Sequence, residues 1–313
     1  MVYPLTALFF GTGNQTPHVA SAIIARVFLD PDLRLFDYDP QRLLSQSPAM
    51  FSFKSLREIY TSIASRIAAT VHYSRAVAQV VRLDGTSRGT NTPSPSIAVT
   101  DTNGINETFD EIIFACSAET ALKALAKPTF WERFALGNVR YFNDITITHT
   151  DALYMHRHYD VDPSRDDQYY VRTDRDDPEY IEMSFNLRNY QPGLPHDVFQ
   201  TIFLDDERRA QWTEKEIRQE TVLFRKWWRQ FSHTWHHFAF TVPFIRLLQG
   251  SGQRHTWYCG GYTVFNTHEM AVMSGLAVAM RLGAPYPFVH DPLATKQFDQ
   301  LLAVSHGVKR TQE

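Results

Sequence analysis

The spacing of apolar positions changes along the chain, and the changes mark elements. Residues 1 to 70 carry mainly helical patterns, punctuated by Pro4, Pro17, Pro31, Pro40 and Pro48. Val19 to Phe28 is an apolar, Ala-rich stretch that stops near Pro31. Ser55 to Ala69 places Leu56, Ile59, Ile63 and Ile67 at helical intervals. From Val71 to Leu83 the pattern alternates in places and turns valine-rich, which predicts a strand. Asp84 to Ser94 holds only turn formers and reads as a loop. Ile97 to Thr100 predicts a second strand, Asn103-Gly104 a two-residue hairpin turn, and a return strand ends near Phe109. The result is a three-stranded meander. Glu111 to Cys116 is largely apolar, as in a buried strand. Ser117 then caps a helix over Ala118 to Ala126, which Pro128 closes.

Further on, Asp144 to Thr150 alternates and predicts a strand, as does Glu182 to Leu187. Asp162 to Asp177 is polar and reads as a solvated loop, and Trp212 to Phe231 as a charged amphipathic helix. Thr256 to Cys259 predicts a short strand, with Gly260-Gly261 directly after it. Asn266, with Glu269 three residues on, predicts a helix start. That helix runs through Leu282 and ends at Gly283 and Pro285.

Composition narrows the function. The 313 residues suggest two domains, at ~150 residues each. A hydrophobic fraction of 43% with 21% charged residues is that of a globular protein. The formal net charge of -3 argues against broad nucleic-acid or anionic-membrane binding. No apolar run reaches the ~18 residues of a membrane span, and Met1 to Leu5 is a poor signal peptide. Two cysteines, Cys116 and Cys259, make neither a disulfide framework nor a zinc site, which predicts a reducing, cytoplasmic setting. His233, His236 and His237 have helical spacing, yet no Cys or HExxH pattern accompanies them, so no metal is expected. His149, His156 and His158 lie on or after a strand pattern and read as structural histidines ahead of the alternative, a pocket-facing general base. No G-x-S-x-G elbow supports a hydrolase.

The chemistry points to the C-terminal strand, glycine pair and helix. Gly260 and Gly261 let backbone approach a ligand closely. Ala271, Ser274, Gly275, Ala277 and Ala279 make the helix rich in small residues, as for close packing. Its N-terminus offers N–H groups and partial positive charge, which suit a phosphate or a ring that turns anionic on reduction. A tightly packed helix without a ligand accounts for the same pattern. Trp257, Tyr258, Tyr262 and Phe265 suit either a pocket wall or a core.

The stretch Trp257 to Phe288 resembles the closing segment of the FAD-dependent amine oxidase and phytoene desaturase-like superfamily. Val77 to Val81, Ile97 to Val99 and Phe109 to Cys116 resemble its meander and following strand, and Tyr141 to Asp151 a substrate-domain strand of its predicted NAD/FAD-binding branch. The resemblance implies an α/β fold: a partial GR2-type FAD-binding Rossmann-like domain with a mixed α+β substrate domain. The FAD-binding domain would comprise residues 65–128 and 250–290, the substrate-type domain residues 1–64 and 129–249, and residues 291–313 a C-terminal tail. FAD is the implied cofactor and a small or medium apolar metabolite the implied substrate, in a specialised-metabolite setting. The resemblance places Val77 at the adenine, Ala115 and Cys116 beside the ADP portion, Gly260 and Gly261 along the ribityl and pyrophosphate, and Glu269 and Met270 at the flavin ring. No catalytic residue is assigned.

Two departures qualify the resemblance. The superfamily opens with a strand, G-x-G-x-x-G and a later acidic residue. The nearest string here is Gly11 to Thr16, followed by Asp37 or Asp39, with Thr16 in place of the third glycine and Pro17 in the turn. It reads either as an ordinary loop or as a different dinucleotide loop. As a loop, it implies a shortened relative, a half that needs a partner chain, or a non-catalytic remnant that binds no flavin alone. Such a chain would expose apolar surface along Ile112 to Ala115 and self-associate. The second departure is that Val139 to Asn143 lacks the lysine that many amine oxidases hold near the flavin.

Overall fold

A computed structural model describes residues 2–10, 12–29, 53, 55–83, 96–191, 193–250 and 255–310. In chain order these form α1 (Val2–Phe10), α2 (Ser21–Leu29), α3 (Leu56–Arg66), β1 (Val77–Arg82), β2 (Ile97–Asp101), β3 (Asn106–Phe109), β4 (Ile112–Phe114), α4 (Ala118–Ala124) and α5 (Phe130–Gly137). There follow β5 (Tyr141–His149), α6 (Ala152–His158), β6 (Tyr169–Thr173), β7 (Ile181–Asn186), α7 (Leu187–Tyr190), β8 (Phe199–Phe203) and β9 (Val222–Phe231). The last elements are α8 (Val242–Ile245), β10 (Thr256–Tyr258), α9 (His268–Arg281) and α10 (Pro292–His306). The mixture of helices and sheets is α/β in class. The chain divides into two compact units, one of Met1–Val71 with Tyr141–Ser232, the other of His72–Arg140 with His233–Glu313. The loop predicted over Asp84 to Ser94, together with Gly11, Asp37 and Asp39, lies outside the described residues. Among the described residues no helix is long and apolar enough to cross a membrane.

The first unit is built on a five-stranded sheet in the order β6-β7-β8-β5-β9, with every pair antiparallel. Alternation along β5 sends Ile145, Ile147 and His149 inward. Ile145 and Ile147 pack with Tyr154 and Met155 of α6 and with Phe199 and Phe203 of β8. A smaller cluster joins Ala7 of α1 to Ile181, Met183 and Leu204. Asp151 caps α6 by accepting the Tyr154 N–H, and Arg218 holds the same carboxylate.

Two predicted segments differ here. Trp212 to Phe231 is not a helix. It forms two 3₁₀ turns, Glu214–Glu216 and Gln219–Thr221, and then β9, which pairs with β5 along its length. Its Val222, Phe224, Trp227, Trp228 and Phe231 suit a strand. Its charges stand on the exposed edge of a sheet, where they imitate the polar face of a helix. Within the predicted loop Asp162 to Asp177, Tyr169–Thr173 pairs with β7 as β6.

The second unit holds the predicted meander, in the order β1-β2-β3. Its hairpin loop has three residues rather than two. The Asp101 N–H donates to the Ile105 carbonyl, and Gly104 takes φ +82°. The Asp101 carboxylate accepts the Asn103 and Ile105 N–H groups and so fixes this longer loop. Beside the meander, β4 and β10 form a two-stranded parallel sheet. The run predicted as a buried strand is only partly so, because Ile113 is 45% exposed. Ser117 caps α4 as predicted, accepting the Thr120 N–H. The stretch expected as a C-terminal tail contains α10, capped by Asp291, opened by Pro292 and closed at Gly307 with φ +66°. Phe298, Leu301 and Leu302 of α10 pack on Met273 and Ala277 of α9.

Candidate functional site

Within the second unit, β4 and β10 run parallel, Ile112 beside Thr256 and Phe114 beside Tyr258. Side chains brace both ends. Glu111 contacts His255 Nδ1 at 2.7 Å and accepts the Trp257 Nε1–H at 2.8 Å. The Gln249 amide both donates to and accepts from the Tyr258 backbone. The buried Glu132 accepts from the Tyr258 hydroxyl at 2.7 Å, from the Thr129 N–H and from Arg82. Burial raises the Glu132 carboxyl, but those three partners outweigh it and hold it below its ordinary value. Burial and the Glu132 charge raise the Tyr258 hydroxyl far above its own, so it stays a donor.

Both strands deliver their C-terminal ends to the same place. Ala115 and Cys116 follow β4 and are exposed. Cys259, whose N–H donates to the Phe114 carbonyl, leads from β10 into Gly260 and Gly261. Gly260 takes φ +138°, and a Cβ there would lie 3.1 Å from the Tyr262 ring and 3.9 Å from the Cys116 carbonyl oxygen. That position needs glycine on two grounds, backbone and space. The Gly260 N–H donates to Ser274 Oγ at 2.7 Å, and that hydroxyl donates to the Ala271 carbonyl. The space that a Cβ would fill at Gly260 is taken by the Tyr262 ring, and its N–H is taken by Ser274. Gly261 opens a 3₁₀ turn that leads towards α9.

The helix start is shifted by one residue from its predicted place. Thr267, not Asn266, is the cap and accepts the Met270 N–H. The third helical residue is then Met270, so Glu269 cannot close a capping box. The Asn266 N–H donates to His233 Nε2 instead. Glu269 is exposed, while Met270 packs partly into the α9–α10 cluster. On the helix side, a Cβ added at Gly275 would meet nothing within 4 Å. The first turn of α9 is exposed and the helix side at Gly275 is open. The structure thus brings Ala115, Cys116, Gly260 and Gly261 together and leads through Thr267 to Glu269 and Met270. Val77 stands on the separate meander sheet, exposed, at the start of β1.

The remaining candidates are engaged inside the protein. Cys259 is buried, and burial together with Cys116 lifts its thiol to about 11, so it is not a ready nucleophile. His237 Nε2 donates to the Tyr262 carbonyl, and burial lowers His233 to about 3 and His237 to about 4. His149 Nε2 bonds Thr201 Oγ1, and burial lowers it to about 4. Trp257, Tyr258 and Tyr262 are core residues, and Phe265 packs on His233 with ring centroids 4.5 Å apart. The apolar run Leu5 to Phe10 lies in helix α1 and Gly13–His18 is a 3₁₀ turn, so the strand that a dinucleotide loop must follow is absent there. Thr129 and Glu132 form a capping box that is legible locally, but nothing local ties Glu132 to Tyr258, 126 positions away.

The first unit has a small concavity of about 10 Å³, lined by Gln15, Phe142, Asp144, Leu204, Phe231 and Ser232 among others. Burial, with the Asp205 and Asp206 charges adding, pushes the Asp144 carboxyl up to about 7, against the Asp205 N–H that it accepts. Asp205 takes φ +69°, a left-handed backbone that costs a non-glycine residue about 1 kcal/mol.

No family model matches the sequence, and no curated protein is similar to it. Among solved structures, the chain is similar to a CLA-producing fatty acid isomerase from P. acnes, with a TM-score of 0.46 and 14% identity, over 73% of this chain and 52% of that one. It is also similar to reduced UDP-galactopyranose mutase, with a TM-score of 0.36 and 12% identity, over 62% of this chain and 47% of that one. The chain spans about half the length of these two structures.

Proposed function

We propose that the chain belongs to an FAD-dependent oxidoreductase of the amine oxidase or desaturase-like kind, acting on a small or medium apolar metabolite. One observation carries the reading. The parallel strands β4 and β10 end side by side at Ala115–Cys116 and Gly260–Gly261, ahead of the α9 N-terminus. In open α/β sheets ligands bind beyond the carboxyl ends of parallel strands. Bound FAD would supply the ring that accepts hydride from the substrate. Gly260 and Gly261 would lie along the ribityl and pyrophosphate. The first turn of α9, with Glu269 and Met270, would favour negative charge beside it. Ala115 and Cys116 would flank the ADP portion, with Cys116 as a protonated thiol, and Val77 would serve the adenine through its backbone.

The test is the visible spectrum of the purified chain, with release and identification of any flavin. The expected result is a flavin spectrum with FAD released. Gly275→Leu should weaken FAD binding at least about tenfold, or ~1.4 kcal/mol, with the circular dichroism unchanged. A protein that stays colourless after refolding with excess FAD would sink the reading.

The exposure of Ile113, on a sheet of two strands among the described residues, favours one variation. Another chain would complete that sheet, and flavin would bind only then. Self-association in size-exclusion chromatography would support the variation, and a compact monomer carrying FAD would remove it.

A further inference from the structure

We propose that the free edge of β9, between Leu223 and Trp227, binds an extended acidic peptide segment of a partner protein by strand addition. Among the described residues β9 pairs with β5 alone, so its other side presents an unpaired row of backbone N–H and C=O groups. A strand of ten residues is long for an unprotected edge. The side chains there are apolar and cationic together. Leu223 is 60% exposed, Phe224 57% and Trp227 42%, while Arg225 and Lys226 between them are exposed. Neither cation has a carboxylate partner among the described residues, and β9 itself carries no acidic residue. Trp227 is already fixed, with the Arg209 guanidinium 5.2 Å from its ring centroid and Trp212 at 6.1 Å. A docking residue fixed beforehand loses little freedom on binding.

Charge selects the occupant. A second copy of this chain would bring the same two cations to the interface. An acidic strand instead sets carboxylates opposite Arg225 and Lys226, and opposite-charge cross-strand pairs are favourable. Its apolar side chains would cover Phe224 on one face and Trp227 on the other, because neighbouring residues of a strand point to opposite faces.

The test uses the full chain and a short fluorescein-labelled Glu–Val peptide of Val-Glu-Glu-Val repeats, which puts Glu and Val on both faces of the added strand, read by anisotropy. Binding is expected. It should be lost when alternate peptide nitrogens are methylated, since the strand hydrogen bonds then fail. The double variant Arg225→Glu, Lys226→Glu should bind roughly tenfold more weakly, as two charge pairs turn repulsive, and should prefer a Lys–Val peptide. Both positions are exposed, and circular dichroism checks the fold. Equal binding of the methylated peptide would overturn the proposal without any variant. So would undiminished binding by the variant, or no binding of the Glu–Val peptide. Preferential binding of phosphatidylserine vesicles would reassign the edge to a lipid surface. Concentration-dependent mass in light scattering, lost in the variant, would reassign it to a second copy.

Discussion

β5 pairs with β8 on one side and with β9 on the other, over registers running from Tyr141 to His149. β4 and β10 share three register positions and have no other strand beside them among the described residues. The first arrangement spreads its stability over many backbone bonds and a broad apolar cluster. The second gathers it into a few side chains, Glu111, Gln249 and above all Glu132. Loss of one contact is shared out in a ladder. In a bracket of side chains the same loss falls on one point.

Glu132→Ala tests this difference most strongly. It leaves the Tyr258 hydroxyl without its acceptor and takes the carboxylate from Arg82, which keeps only Thr256 Oγ1 among the bonds described, and removing one partner of a buried ion pair costs about 3–5 kcal/mol. Amide hydrogen exchange should show β10 losing protection while β5 keeps it. Equal loss in both strands would break the comparison.

Two buried carboxyls, Asp144 in the first unit and Glu132 in the second, should respond to acid in opposite directions. Asp144, lifted to about 7 from an ordinary 3.8, keeps a proton in the folded first unit that the unfolded chain has already released. Its contribution to stability therefore falls as pH rises from about 4 to about 7. Glu132 is depressed, so its contribution is present above the unfolded value and disappears as pH falls. Asp144→Asn should stabilise the first unit by roughly 2 kcal/mol at about pH 8 and little at about pH 4. A urea midpoint whose pH dependence matches the parent protein would refute this.

The smallest effect is expected on α9. Gly275→Ala should add about 0.5–1 kcal/mol, because alanine favours the helix and the space beside it is open. A lowered Tm would show that the side of the helix is not free.

Local signals carry most of the legible fold. Ser117, Gly104 and the alternation of β5 each act within a few residues, and the structure uses each of them, with a longer hairpin loop than the dipeptide suggests. α10 has equally local marks in Asp291-Pro292 and Gly307, though the stretch carries no motif of its own. β9 is hidden because a half-exposed edge strand carries charge with no clean period. At the candidate site the glycine turn is legible, since φ +138° admits little else. The Glu132–Arg82–Tyr258 bracket is not, because its members meet only through tertiary packing. The shift of the helix cap to Thr267 has a similar origin, since His233 takes the Asn266 N–H from far along the chain.

The hydroxyl of Ser274 takes the Gly260 N–H and passes its own proton to the Ala271 carbonyl. Mechanically this rivets the turn to the helix. A push on the glycine turn is not absorbed by a slack loop but becomes a torque on α9. Since α9 packs along α10 through Met273, Ala277, Phe298 and Leu302, the turn and the two helices form one connected seam.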